Sequence, residues 1–180
     1  MPSQNIKKTI AYLFLLLNLS LILFGWWGAG GSRIYGLSSP HDLSLMISRL
    51  AGLLAMLSML VQLNLIARTN FLEDAFGLNR LIKAHKWFGI LSFSLVLLHI
   101  AGFMSSLYYG NIFAMLSSYQ NAILIWDDLI KAFAGFWLLI VVAFTSALLK
   151  LRAMQYRYWY ITHILTYGVI ILVIGHQIEL

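Results

Sequence analysis

Cysteine is absent from the 180 residues. That excludes disulfides, thiolate metal sites and cysteine-held iron–sulfur clusters. Charge is scarce too: only 10% of residues are charged, where a soluble domain carries about a quarter. A dinucleotide motif is missing as well. The Gly-rich stretch GAGGSRIYGLSSPH at 28–41 has neither the GxGxxG spacing nor a preceding strand, so no nucleotide role attaches to it. No cleavable signal is evident either, because the first apolar run outlasts a signal's apolar region and lacks a small-residue cleavage site.

What remains is apolar, with 61% hydrophobic residues and a mean hydropathy of +0.85, which places the chain in the membrane class. Five stretches are long enough to span a bilayer, at about residues 9–27, 42–66, 82–105, 129–149 and 158–177. The expected fold is therefore all-α, an integral membrane helix bundle. Ser38 or Ser39 is placed to cap the second span, with Pro40 in its first turn and Asp42 at the favourable end of its dipole. Residues 67–80 read as a connector with a short amphipathic stretch. Residues 106–126 read as an interfacial loop carrying a short surface helix. Asp127 and Asp128 open the fourth span within reach of Lys131, a local ion pair.

The net charge of +6 points to topology rather than to nucleic acid. With a cytoplasmic N-terminus, Lys7, Lys8, Arg68, Arg80, Lys83, Lys86, Lys150, Arg152 and Arg157 fall inside, while Arg33, Arg49 and Lys131 fall outside. Nine against three satisfies the positive-inside rule.

Four of the five histidines occupy two spans, His85 and His99 in the third and His163 and His176 in the fifth. An ionisable residue inside a membrane marks function by default, since an unpartnered one is costly there. His85 and His99 are fourteen residues apart, about 21 Å along a helix and some 40° from the same face. Both spans start on the inner side, so His85 and His163 lie near the inner face and His99 and His176 near the outer. Two helices each offering an imidazole at two depths are what two stacked b-type haems require, since neutral imidazoles close both axial positions of a haem iron. Gly89 and Gly102 lie beside the histidines of the third span, where a missing side chain would admit a flat porphyrin or a neighbouring helix. Gly168 and Gly175 lie in the fifth span, and Phe93 and Tyr167 lie between the haem depths. His163 and His176 are thirteen apart, about 140° around an ideal helix, which calls for a kink, a π-bulge, tilt or differing haem positions.

The segments HKWFGILSFSLVLLH and HILTYGVIILVIGH, with RLAGLLAMLSMLVQLNLIARTNFLEDAFGLNRLIKAHKWFG before them, resemble the ferric reductase-like transmembrane domain. That family includes NADPH oxidases, ferric-chelate reductases and their bacterial relatives, and the likeness is to the bacterial branch across residues 10–177. It implies six helices, of which five are present, two haems b, and a following dehydrogenase domain that binds FAD and NAD(P)H. The chain is then expected to be the bundle part of a longer protein in a bacterial plasma membrane. The resemblance makes His85 and His163 the inner-haem ligands, and His99 and His176 the outer. Arg49 matches an outer-side arginine near the outer haem and acceptor site. The oxidases often carry a further histidine where this chain has Phe103.

The implied activity is transfer of electrons from NAD(P)H through FAD and two bis-histidine haems to an outer acceptor. That acceptor would be oxygen, giving superoxide, or a ferric chelate. The basic ends at Arg80, Lys83, Lys86, Lys150, Arg152 and Arg157 would then receive the dehydrogenase domain, in cis or in trans, as well as anionic lipid. The alternatives are a membrane cytochrome b subunit fed by a separate flavoprotein or a quinol, and a haem-free transporter or structural protein.

Overall fold

The computed structural model describes residues 2–29 and 39–178, with side chains as far as Gly175. Among these residues the regular structure is α1 Gln4–Gly28, α2 Pro40–Ile66, α3 Asn70–Phe76, α4 Leu78–Ser106, α5 Ile112–Ile125, α6 Asp127–Lys150 and α7 Tyr156–Ile178. Five of these helices, α1, α2, α4, α6 and α7, are long and apolar enough to cross a membrane. They are the five spans expected from the sequence, extended at their ends. Hydropathy marks only the apolar middle of a span, whereas the helix runs on to its caps. Ser39 accepts from the Asp42 amide and Pro40 opens α2. Ser3 caps α1, whose first turns hold Gln4 and Lys7. The Gly-rich loop, apart from its ends, and Arg33 and Glu179 lie outside the described residues.

The chain divides into two compact units, Met1–Ser106 and Leu107–Leu180. The first is built on α2 against α4. Along α2 the residues Ser44, Ser48, Ala51, Ala55, Ser58 and Gln62 recur at alternating steps of four and three, a heptad seam that keeps one narrow face toward one partner. Its inner members are small, so the backbones close up: Ser48 is 1% exposed and Ala51 2%, whereas Phe24 on α1 is 79% exposed. That inverts the soluble pattern, because lipid receives large apolar side chains and helix pairs are held by small residues and hydrogen bonds. Ser58 donates to the Phe88 carbonyl at 3.0 Å, and the Gln62 amide donates to Ser92 Oγ at 2.8 Å.

The connector carries α3, capped by Thr69, and it docks on α1. Lys7 Nζ meets Asp74 Oδ2 at 2.6 Å, the Gln4 amide donates to the Ala75 carbonyl, and the Tyr12 and Phe76 rings meet edge to face. Gly77, at φ 78°, then turns the chain directly into α4, a left-handed conformation that costs a glycine little.

The second unit packs α6 against α7. Thr162 donates to Thr145 Oγ1 at 3.1 Å and the Trp159 indole to Ser146 Oγ at 3.2 Å. Gly135 lies against α7, where an added Cβ would stand 2.9 Å from Val173 Cγ1. The expected ion pair forms, Lys131 to Asp128 at 2.9 Å. The loop expected over 106–126 is more regular than the sequence implied. Asn111 accepts from the amides of Phe113 and Ala114, and α5 then runs for 14 residues, uninterrupted by proline or glycine.

The glycines give a stability test with opposite signs. Gly135→Ala must displace the Val173 side chain on α7, at a cost of about 1–3 kcal/mol. Gly25→Ala meets nothing within 4 Å and should gain about 0.5–1 kcal/mol from helix propensity. Thermal unfolding in detergent, followed by circular dichroism, should place Gly135→Ala below the parent chain and Gly25→Ala at or above it.

Candidate haem-ligating site

His85 and His99 are two heptads apart on α4, and both lie on the seam that faces α2. His99 Nδ1 is 2.8 Å from the Ser48 carbonyl oxygen. A carbonyl can only accept, so Nδ1 carries the hydrogen and the lone pair resides on Nε2. His85 Nδ1 approaches the Gln62 carbonyl at 3.4 Å in the same sense, a longer and weaker contact. Donating one ring N–H to a main-chain carbonyl is how proteins orient a metal-ligating imidazole and raise its basicity. The donor chemistry of both α4 histidines therefore fits an axial haem ligand bound through Nε2.

Ser48 grips His99 twice. Its hydroxyl donates to the His99 carbonyl at 2.7 Å and lies 3.1 Å from Nδ1. Arg49 follows at once. It is half-buried, and among the described residues its buried Nε has no hydrogen-bond partner. A guanidinium nitrogen withdrawn from water in this way suits an anionic oxygen acceptor, such as a haem propionate.

Gly89 and Gly102 both lie against α2. A Cβ on Gly89 would stand 3.1 Å from Gln62 Oε1, and one on Gly102 would stand 3.0 Å from the Ser44 carbonyl and from Ser48 Cβ. Close packing of α2 on α4 thus accounts for glycine at both positions. Phe93 is half-buried on α4, and Tyr167 is exposed on α7.

On α7, His163 stacks on Trp159 one turn earlier, with ring centroids 4.8 Å apart and planes inclined by 27°. Thr166 donates to the His163 carbonyl at 2.7 Å. The main chain of α7 is α-helical throughout Tyr156–Ile178, so no π-bulge absorbs the thirteen-residue offset to His176. The side chain of His176 lies outside the described residues. Among those described, no three His, Asp or Glu side chains converge as a metal site.

Sequence reasoning singled out the histidines and Arg49 but passed over Ser48, Gln62 and Trp159. The signal for the first two was present in the seam of small and polar residues on α2. Trp159 stands four residues before His163, the spacing at which helical side chains meet.

A helical membrane protein with paired histidines on two spans is the class that these features define. The chain belongs to the ferric reductase like transmembrane component family, whose model matches residues 51–174, from the middle of α2 to near the end of α7. No curated protein and no solved structure matches the chain.

The Nδ1–H form of His99 can be tested without cofactor. In the haem-free chain labelled with ¹⁵N-histidine, His99 should show a protonated Nδ1 and an unprotonated Nε2. The opposite tautomer would remove the orienting bond to Ser48.

Proposed function

We propose that the chain is the membrane part of an oxidoreductase that carries single electrons across a bilayer through two bis-histidine haems. The observation that carries this reading is the imidazole of His99, donated through Nδ1–H to the Ser48 carbonyl and so primed at Nε2, within a chain of the ferric reductase-like family. In this reading His85 and His163 hold the inner haem, and His99 and His176 the outer. Bound haem supplies a one-electron couple that needs no bond to substrate. The chain contributes the axial ligands, an apolar frame that excludes water, and Arg49 beside the grip on His99. Trp159 restrains the ring of His163 by stacking.

The electron donor is proposed as FAD reduced by NAD(P)H in a dehydrogenase domain docked at the basic inner ends, and the acceptor as oxygen or a ferric chelate. A quinol or a separate flavoprotein is the competing donor.

The purified chain should be red, with a b-type reduced-minus-oxidised spectrum and two haems per polypeptide. His85→Ala or His163→Ala should each lose one haem, and His99→Ala or His176→Ala the other. A preparation that stays colourless after haem supplementation ends the reading. If His85→Ala and His99→Ala lose the same haem, the assignment by depth is wrong.

Arg49→Gln should lower the potential of the haem held by His99 or slow turnover of the acceptor, since a nearby positive charge favours the electron-rich reduced state. The other haem should keep its potential. Unchanged potentials and unchanged turnover would remove Arg49 from the site.

A further inference from the structure

Ser48 is 1% exposed and joins α2 to α4 at a single residue of the partner helix. Its carbonyl accepts the His99 ring N–H at 2.8 Å, while its hydroxyl donates back to the His99 carbonyl at 2.7 Å. The two bonds form a reciprocal clasp, so ring and main chain of His99 are fixed by the same neighbour. Gly102 makes the clasp possible. It lies about one turn beyond His99, and an added methyl would press on the Ser44 carbonyl and on Ser48 Cβ at 3.0 Å each. Those are main-chain and near-main-chain atoms that no rotamer change can move aside.

The bond described for His85 is longer. Its ring N–H meets the Gln62 carbonyl at 3.4 Å, and the Gln62 amide donates to Ser92. In these bonds the same helix holds the two α4 histidines at unequal distances.

We infer that Ser48, seated by Gly102, is a positioning residue that sets the redox potential of the haem held by His99 and of no other. The inference rests on the reading of His99 as an axial ligand. A short N–H···O=C bond makes an imidazole more electron-rich, which favours the oxidised iron and lowers the potential. Loosening the clasp lengthens that bond and raises the potential. Ser48→Ala loosens it by removing the hydroxyl tie to α4. Gly102→Ala loosens it by a different route, driving α2 off α4 at that level.

Ser58 supplies the control. It is a buried serine of the same helix, 3% exposed, and makes the same kind of bond to α4, to the Phe88 carbonyl at 3.0 Å, without contacting a histidine in any bond described here.

The experiment is a redox titration of the haem-loaded chain, monitored by optical and low-temperature EPR spectra, on the parent, Ser48→Ala, Gly102→Ala and Ser58→Ala. His99→Ala identifies the relevant haem by its loss. In Ser48→Ala and Gly102→Ala that haem should move to a more positive potential with a changed low-spin EPR signal, while the other haem keeps both. Ser58→Ala should leave the His99 haem where it was. The inference is overturned if two haems are present and neither Ser48→Ala nor Gly102→Ala shifts that haem. It is equally overturned if both haems shift together, or if Ser58→Ala shifts the His99 haem as far as Ser48→Ala does. Should Gly102→Ala not fold, the contrast between Ser48→Ala and Ser58→Ala decides alone. A parent chain that binds no haem is a separate result, which removes the functional reading and the inference with it.

Discussion

The close approach of α2 to α4 is the constraint on which the first unit depends. In a bilayer the hydrophobic effect does not draw helices together, since lipid tails solvate leucine as well as another helix does. Association then relies on dispersion at short range and on hydrogen bonds. The residues on the seam meet both needs: serines and alanines let the backbones near each other, and that nearness brings main-chain carbonyls of α2 within reach of side chains on α4. The bonds from His99 and His85 to Ser48 and Gln62 are consequences of that spacing. A larger residue at Ser48 or Gly102 would press on the facing helix before it affected either histidine directly.

This geometry also explains why fourteen is a useful separation on α4. Fourteen residues are two heptads, so both histidines return to the seam and the same neighbour orients both. A helix carbonyl already accepting within its own helix has a second lone pair, so α2 serves as an orienting surface without giving up its own hydrogen bonds. The ring N–H groups reach their carbonyls at different distances, 2.8 Å at His99 and 3.4 Å at His85.

Much of this was legible in the sequence, and the reason is chemical rarity. A histidine in an apolar span stands out because nothing in lipid requires it, and the five spans stand out because charge is so scarce. A serine cap on α2, at Ser38 or Ser39, and an ion pair of Lys131 with Asp127 or Asp128 were readable because they depend on neighbours three or four residues away; the structure gives Ser39 and Asp128. Ser48, Gln62 and the glycines were harder to interpret. Small and polar residues are ordinary in membrane helices, and only the partner helix distinguishes an orienting carbonyl from routine packing. Gly89 and Gly102 illustrate the difficulty, since a cleared space in the sequence does not say what enters it. The structure puts α2 there. The regularity of α5 and the docking of α3 on α1 through Lys7 and Asp74 were equally beyond local pattern, because each depends on a contact or cap that hydropathy does not register.

His163 on the fifth span meets a different kind of neighbour, and the packing of α6 on α7 explains why. α6 meets α7 through Gly135, Thr145 and Ser146. Thr145 and Ser146 turn their hydroxyls to Thr162 and Trp159 rather than to a histidine in any bond described here. The ring of His163 instead rests on Trp159 of its own helix, and Ser146 fixes that indole in turn. Restraint thus passes from α6 to His163 through an intermediate aromatic, whereas on α4 it passes directly from a carbonyl. A stacked indole limits the tilt of an imidazole, and a carbonyl acceptor also raises its basicity. His163 and His99 are thus each restrained by a named neighbour, an indole of the same helix in one case and a carbonyl of α2 in the other.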